Sequence, residues 1–243
     1  HDLDHICVQA LEIMSQLTQK NPHDCEHCQS RSHGILCAIE SGTLRQIDRA
    51  KLHQNYKAGQ TLFYAGNSAT GIYCITKGTI KLEANDADGK SQIVQVYGNG
   101  SMIGYRALFS DEPYQSSAIA VEDCEVCFVP RATINQVIKE NPELAMKFLV
   151  QLANDFKMME SRLHRTLART AAERIAEALL FLRENFQDKH WTRKEIAEWA
   201  GTTTETVIRS LADLEDEGII EQKGRSIKIL KRELLLAKAK ISL

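Results

Sequence analysis

Apolar and polar positions repeat with different periods along the chain, and the change of period marks its parts. From Trp191 to Leu230 the sequence WTRKEIAEWAGTTTETVIRSLADLEDEGIIEQKGRSIKIL reads as two short helices, a tight turn and a two-stranded wing. Thr192 stands at an N-cap, and Glu195 is placed to complete a capping box with it. Ile196, Trp199 and Ala200 give the first helix one apolar face, and Gly201 breaks it. A threonine run, Thr202 to Thr204, offers the next cap. Val207, Leu211 and Leu214 then recur at helical spacing and define a second amphipathic helix. Gly218 ends it, and Ile219-Ile220 and Ile227-Ile229 flank a basic hairpin tip at Lys223-Gly224-Arg225.

Between Leu52 and Pro130 the texture shifts to short β-forming segments: Thr61–Tyr64, Gly71–Ile75, Thr79–Ala84, Ile93–Tyr97, Ser117–Val121 and Glu125–Val129. Glycines separate them, and Asp86-Ala-Asp-Gly89 reads as a hairpin loop, so a sandwich or small barrel is expected. A short helix is expected from Thr43 to Lys51, and an amphipathic one before it on Ile6, Ala10, Ile13, Met14 and Leu17, stopped by Asn21-Pro22. Pro142 opens a long helix at a position where its missing N–H costs nothing. Along it Leu149, Leu152, Phe156, Met159 and Leu163 follow a 3-4-3-4 spacing, with Thr166 next in register. Such a stripe either packs on its own barrel or forms a coiled-coil seam between two chains; its length favours the seam and a homodimer. A further helix is expected from Ala171 to Phe186.

Helix, glycine turn, helix is the signature of a helix-turn-helix, whose second helix enters the major groove. Its outward face carries Glu205, Ile208 and Arg209. Arginine can hold guanine O6 and N7 together, and glutamate can accept from cytosine N4. Thr203, Thr204 and Thr206 can donate to phosphates, while Lys223 and Arg225 suit the backbone beside the wing. The competing reading, an ordinary helical hairpin with a solvated face, explains the turn but not the agreement of turn, groove residues and basic wing.

Composition narrows the class. With 243 residues, 43% hydrophobic and 26% charged, the chain is an ordinary globular protein long enough for one large or two medium domains. Its net charge of −2 means that affinity for DNA must come from a local patch. No apolar run approaches the roughly 18 residues of a membrane span. The chain begins at His1 rather than Met, which points to a trimmed start. Seven cysteines, an odd number, argue against a disulfide framework and for a reducing, cytoplasmic setting with free thiols.

The stretch TxxEIAxWxGTTTETVIRxLxxLExEGII resembles the C-terminal winged helix-turn-helix of the CRP/FNR superfamily of bacterial transcription regulators, and the likeness runs upstream to about Cys25. The resemblance implies an α+β chain. Residues 1–42 would carry an N-terminal helix and a Cys-rich segment, and 43–141 a jelly-roll sensor of the cyclic-nucleotide-binding type, closed by a short helix near Tyr105–Ser110. A dimerisation helix would span 142–170 and a winged helix-turn-helix 171–243. Glu205 and Arg209 match the family's base-reading positions, while Ile208 stands where the FNR branch usually has Ser. The implied target is double-stranded DNA with a palindrome like TTGA-N6-TCAA, and the implied partner is RNA polymerase. The chain is thus expected to be a regulator rather than an enzyme. An iron–sulfur redox protein and a cyclic-nucleotide regulatory subunit are the rivals from other classes.

Two inputs are open. In cAMP-binding relatives a Gly-Glu pair and a later Arg-Ser-Ala hold the ribose and phosphate; here the matching residues are Gly104-Tyr105 and Ser116-Ser117-Ala118, so no cAMP is expected. Arg106 is the cation near that motif but off its position, and a different effector in the barrel stays open. The cysteines offer the other input. Cys25, Cys28 and Cys37 are close in sequence, and Cys127 matches the remote ligand position of oxygen-sensing FNR proteins, which implies a [4Fe–4S] cluster. The Cys28–Cys37 gap is longer than in the best-known members. Cys124 competes for the fourth place, while Cys7 and Cys74 read as bystanders. His23, His27 and His33 interleave with the thiols, which keeps zinc open, as is a site with no metal.

Overall fold

A computed structural model describes residues 24–36, 39–186, 189–224 and 226–241. The amphipathic helix expected around Ile6 to Leu17 lies outside them, as do Cys7, His23, Cys37 and Arg225. Helix α1 (Ser41–Ala50) leads into strands β1 (Leu52–Tyr56), β2 (Thr61–Phe63), β3 (Gly71–Lys77), β4 (Ile80–Asn85), β5 (Ser91–Tyr97) and β6 (Met102–Ile103). Helix α2 (Tyr105–Ser110) precedes β7 (Ser117–Ala120) and β8 (Cys124–Pro130). The helices α3 (Arg131–Glu140), α4 (Pro142–Ala168), α5 (Ala171–Asn185), α6 (Arg193–Ala200) and α7 (Thr204–Asp216) follow. A hairpin, β9 (Ile220–Lys223) and β10 (Ser226–Ile229), and helix α8 (Arg232–Lys238) complete the order.

The first eight strands form two four-stranded sheets, ordered β1-β8-β3-β6 and β2-β7-β4-β5. Their crossovers between sheets make the expected β sandwich, and Ile72, Ile75, Ile80, Ile103, Ala118 and Val126 fill its centre. The loop at Asp86 behaves as its sequence suggests: Asp86 Oδ1 accepts from the amides of Asp88 at 3.0 Å and Lys90 at 2.8 Å, turning β4 into β5. Elements beyond the sequence expectation include β1, β6, α3 and α8. Strand β1, LHQNY, has no alternating apolar face; it exists because β8 offers it an edge to pair with. Helix α3 buries Ile134 and Val137 against the sandwich.

Helix α4 is 27 residues long, and its two halves do different things. Leu144 and Phe148 on its first turns belong to the sandwich core, and Leu152 packs half-buried against it. Further along, Leu149, Phe156, Met159 and Leu163 stay 48–65% exposed. The apolar stripe therefore does not pack wholly on its own barrel.

A second core joins α5, α6, α7, the wing and α8, and it includes Ile93, Val96 and Val121 of the sandwich. The C-terminal unit thus packs on the outer face of β5. Arg162 of α4 sits at the junction. Its guanidinium donates to the carbonyls of Val94, of Ile93 at 2.7 Å and of Trp199 at 2.9 Å, and lies 4.1 Å over the Trp199 ring. Trp199 in turn stacks on Phe181 at 4.6 Å. Beside it the buried Glu198 meets Lys81 of β4 at 3.2 Å. Desolvation lowers Arg162 to about 10, so it remains charged at neutral pH. Arg162→Met should keep the packing stem but leave these carbonyls without their charged donor, costing about 1–3 kcal/mol. Hydrogen exchange should report it as faster exchange in β5 and α6 with the sandwich centre unchanged.

Candidate DNA-reading helix and cysteine pocket

Local sequence builds the turn between α6 and α7. Thr192 Oγ1 accepts from the Glu195 amide at 3.1 Å while Glu195 Oε2 accepts from the Thr192 amide at 2.8 Å, the reciprocal pair of a capping box. Gly201 closes α6 in the left-handed region, at φ 62 and ψ 48. Arg174 of α5 donates to the carbonyls of Ala200 at 2.8 Å and Gly201 at 3.2 Å, satisfying the open end of the helix. Of the threonine run it is Thr203 that caps α7, accepting from the Thr206 amide at 3.2 Å. Val207, Leu211 and Leu214 are buried, which leaves Glu205, Ile208 and Arg209 exposed on the opposite face. The Glu205 carboxyl is lowered by its own backbone amide at the helix start and by Thr203, so it stays ionised. Glu215 holds the wing to α7 by accepting from Gln222 N at 2.7 Å and Gln222 Nε2 at 3.0 Å. Lys223 stands exposed at the hairpin tip, 3.1 Å from Glu221.

The cysteines divide into two groups. Cys25, Cys28, Cys74 and Cys127 line one cavity beneath the N-terminal segment, together with Arg31 and Lys51. Cys74 and Cys127 face each other in the β3–β8 register. Cys74, expected to stand apart, lines the same cavity, because the pairing of two distant strands brings it to Cys127. Cys124 does not compete for the place, because its Sγ donates to the carbonyls of Glu122 at 3.1 Å and Thr79 at 3.4 Å. Burial pushes the Cys25 thiol up to about 11 and raises Cys127 and Cys74 as well. His27 is exposed and pairs with Asp24 at 2.7 Å, apart from the cavity. Among the described residues no three His, Cys, Asp or Glu side chains are set to hold a metal ion, and Cys37 lies outside those residues. The donor chemistry nevertheless fits an anionic metal–thiolate group: several thiols in one cavity, lined also by two cationic side chains.

A second cavity opens in the sandwich, lined by Phe63, Tyr97, Tyr105, Arg106, Glu112 and Tyr114 among others. Arg106 extends toward α4, its Nη1 3.7 Å from the Met159 sulfur. The Tyr105 hydroxyl donates to the buried Asp155 of α4, which also accepts from Gln151 Nε2 at 2.9 Å. This cavity is thereby tied to the long helix.

Residues 53–141 match the family model for the cyclic nucleotide-binding domain, and residues 173–238 match that for the Crp-like helix-turn-helix domain. The "cAMP-activated global transcriptional regulator CRP" of Haemophilus influenzae is 30% identical over 191 residues, which cover 74% of this chain and 84% of that protein. The chain belongs to the CRP/FNR superfamily of transcription regulators. Within it, the "Fumarate and nitrate reduction regulatory protein" of Vibrio cholerae is 28% identical over 229 residues, covering 89% of this chain and 91% of that protein. The structure of FixK2 from Bradyrhizobium japonicum shares the fold, with a TM-score of 0.70 at 23% identity over 79% of this chain and 99% of that one.

As a CRP/FNR regulator with a DNA-binding helix-turn-helix, the chain belongs to a family of transcription regulators rather than enzymes. The cysteine segment precedes both matched regions. No described helix is long and apolar enough to cross a membrane. Sequence reasoning missed Lys51, Cys74 and Arg162, since Lys51 meets Cys25, Cys74 meets Cys127 and Arg162 meets the β5 carbonyls only through long-range packing. It also missed Gly34, where a Cβ would lie 2.3 Å from the Gly100 carbonyl oxygen, so the cysteine segment reaches the sheet only because no side chain intervenes. Gly34→Ala should cost about 1–3 kcal/mol of local docking. Alkylation followed by mass spectrometry should show Cys25 and Cys28 modified faster, with Cys124 unaffected.

Proposed function

We propose that this regulator acts as a homodimer that reads a palindromic DNA site through Glu205 and Arg209 and takes its input at the cysteine pocket. The observation that carries the reading is the exposed face of α7, with Arg209 and an ionised Glu205 side by side over a buried Val207–Leu211 seam. Thr204 and Thr206, with Lys223 and Arg225 of the wing, would take the phosphates, and Ile208 would meet a base edge by apolar contact. The family resemblance supports a half-site like TTGA and RNA polymerase as the protein partner. The apolar positions Leu149, Phe156, Met159 and Leu163, exposed along α4, support the dimer seam, with Leu152 turned inward at its edge.

For the input, Cys25, Cys28, Cys37 and Cys127 would hold a [4Fe–4S] cluster, which when bound supplies an oxygen-labile centre. The chain's own part is mechanical. Ser30 Oγ donates to the Thr76 carbonyl at 2.5 Å and Cys25 N to Asp48 Oδ1 at 3.0 Å, so the segment is pinned to β3 and α1. Helix α1 rests on α3, which leads directly into α4, and Arg162 carries α4's position to α6. Movement of the segment therefore has a packed route to the DNA-reading helix. A second reading, a small-molecule effector other than cAMP in the sandwich cavity, is favoured by the Tyr105–Asp155 link to α4.

Anaerobic purification with iron and sulfide assay, followed by DNA binding with and without oxygen, tests the input. Iron-free protein that binds DNA equally in air would leave the sandwich cavity as the better site. Arg209→Ala should weaken binding to the specific site by ~1–3 kcal/mol and relax discrimination at one guanine, whereas Lys223→Ala should weaken all sequences alike and lower the salt slope by about one. Phe156→Glu should yield monomers in sedimentation at micromolar concentration, with specific DNA binding lost in parallel. Phe156 serves this test better than Met159, where Arg106 could neutralise an introduced carboxylate.

A further inference from the structure

Lysine side chains are rarely buried without a charge to face. The Lys51 side chain, just past the end of α1, is only 4% exposed, and its ammonium points into the cysteine cavity. It lies 2.6 Å from Asp48 Oδ1 and donates to Cys25 Sγ at 3.2 Å. The same Asp48 oxygen accepts from the Cys25 amide at 3.0 Å, so carboxylate, ammonium and cysteine form a closed brace. Arg31 lines the cavity as well, its Nε donating to the Leu36 carbonyl at 3.1 Å across the turn of the segment. A neutral thiol is a weak hydrogen-bond acceptor and has no use for a desolvated cation aimed at its sulfur. A thiolate bound to a metal centre has both the acceptor strength and the negative charge to match it.

We propose that Lys51 is the positioning residue of the thiolate site, donating its hydrogen bond to the Cys25 sulfur and compensating the negative charge of the metal–thiolate group. This role rests on the cysteine pocket being the input site, and it assigns the residue that sets the electronic properties of the centre. Hydrogen bonds to ligand sulfurs and nearby positive charge favour the more reduced, more negative state of a cluster, so Lys51 raises the reduction potential. Asp48 orients the ammonium and fixes the Cys25 backbone, which makes α1 part of the site although it supplies no ligand.

The test uses the full chain, wild type and the variants Lys51→Met, Lys51→Gln and Lys51→Arg, with folding checked by circular dichroism. Each is reconstituted without oxygen from ferrous iron and sulfide for a midpoint potential. Each is also titrated metal-free with cobalt(II), whose sulfur-to-metal charge-transfer band reports thiolate binding. Lys51→Met should lower the midpoint potential and weaken cobalt binding about tenfold, the usual scale for a partner outside the ligand set. Lys51→Gln, which keeps a donor without charge, should fall between, and Lys51→Arg should stay near wild type. Should Lys51→Met fail to fold, the comparison of Lys51→Gln with Lys51→Arg carries the same distinction. Equal potentials and cobalt affinities across the folded variants would overturn the role of Lys51 and leave the cluster reading standing. Wild-type protein that binds cobalt but assembles no cluster would overturn the cluster, and the cobalt series alone would then decide Lys51. Wild-type protein that takes up neither would overturn both.

Discussion

A single guanidinium joins the parts of this regulator. Arg162 leaves the long helix α4, reaches the carbonyls of Ile93 and Val94 on β5 of the sandwich, and spans to Trp199 on the first helix of the helix-turn-helix. Main-chain carbonyls at a sheet edge and at a helix C-terminus both carry partial negative charge, and a half-buried arginine with its planar donor array can serve both at once. Around it the apolar contact of Ile93, Val96 and Val121 with the C-terminal core, and the Lys81–Glu198 pair, hold α6 against β5. The orientation of the recognition face therefore depends on where α4 lies relative to its own sandwich.

The position of α4 is set at its start and at its middle. Leu144 and Phe148 anchor its start in the sandwich core, and Asp155, buried and bonded to Tyr105 and Gln151, anchors its middle beside the sandwich cavity. Between and beyond these anchors the helix turns an apolar face outward. A helix with one face fastened to the sandwich would, in the proposed dimer, pass a small shift of the sandwich into the geometry of the pair.

The cysteine segment bears on the same frame from the other side. It is held to α1 through Asp48 and Lys51 and to β3 through Ser30, and it closes over the β3–β8 pair where Cys74 and Cys127 meet. Burial disfavours free thiolates there, so the proposed metal group would have to offset that cost through metal–sulfur bonds and the cations lining the cavity. The cysteine pocket and the sandwich cavity both reach α4 through packed contacts rather than through a flexible linker.

The helix-turn-helix was legible in the sequence because everything that makes it is local: the Thr192–Glu195 box, Gly201 in a left-handed turn, the Thr203 cap and the Val207–Leu211–Leu214 repeat act within a few residues of one another. The sandwich was legible for the same reason, from short β-forming segments and glycine turns, and so was the apolar stripe of α4. Strand β1 was not, because its existence depends on the edge of β8 and not on its own polar sequence. The cysteine pocket was half legible. The Cys25–Cys28 spacing is local, but nothing near Cys74 or Lys51 in sequence announces a site. Cys74 joins it through the register of strands more than forty residues apart, 74 against 127, and Lys51 through the packing of α1 beneath the segment. Arg162 is the same case, a polar residue on a helix whose partners lie 37 to 69 residues away. Local periodicity and capping determine elements, whereas the convergence of charges on buried sulfur or carbonyl groups is decided by which elements the shared cores bring together.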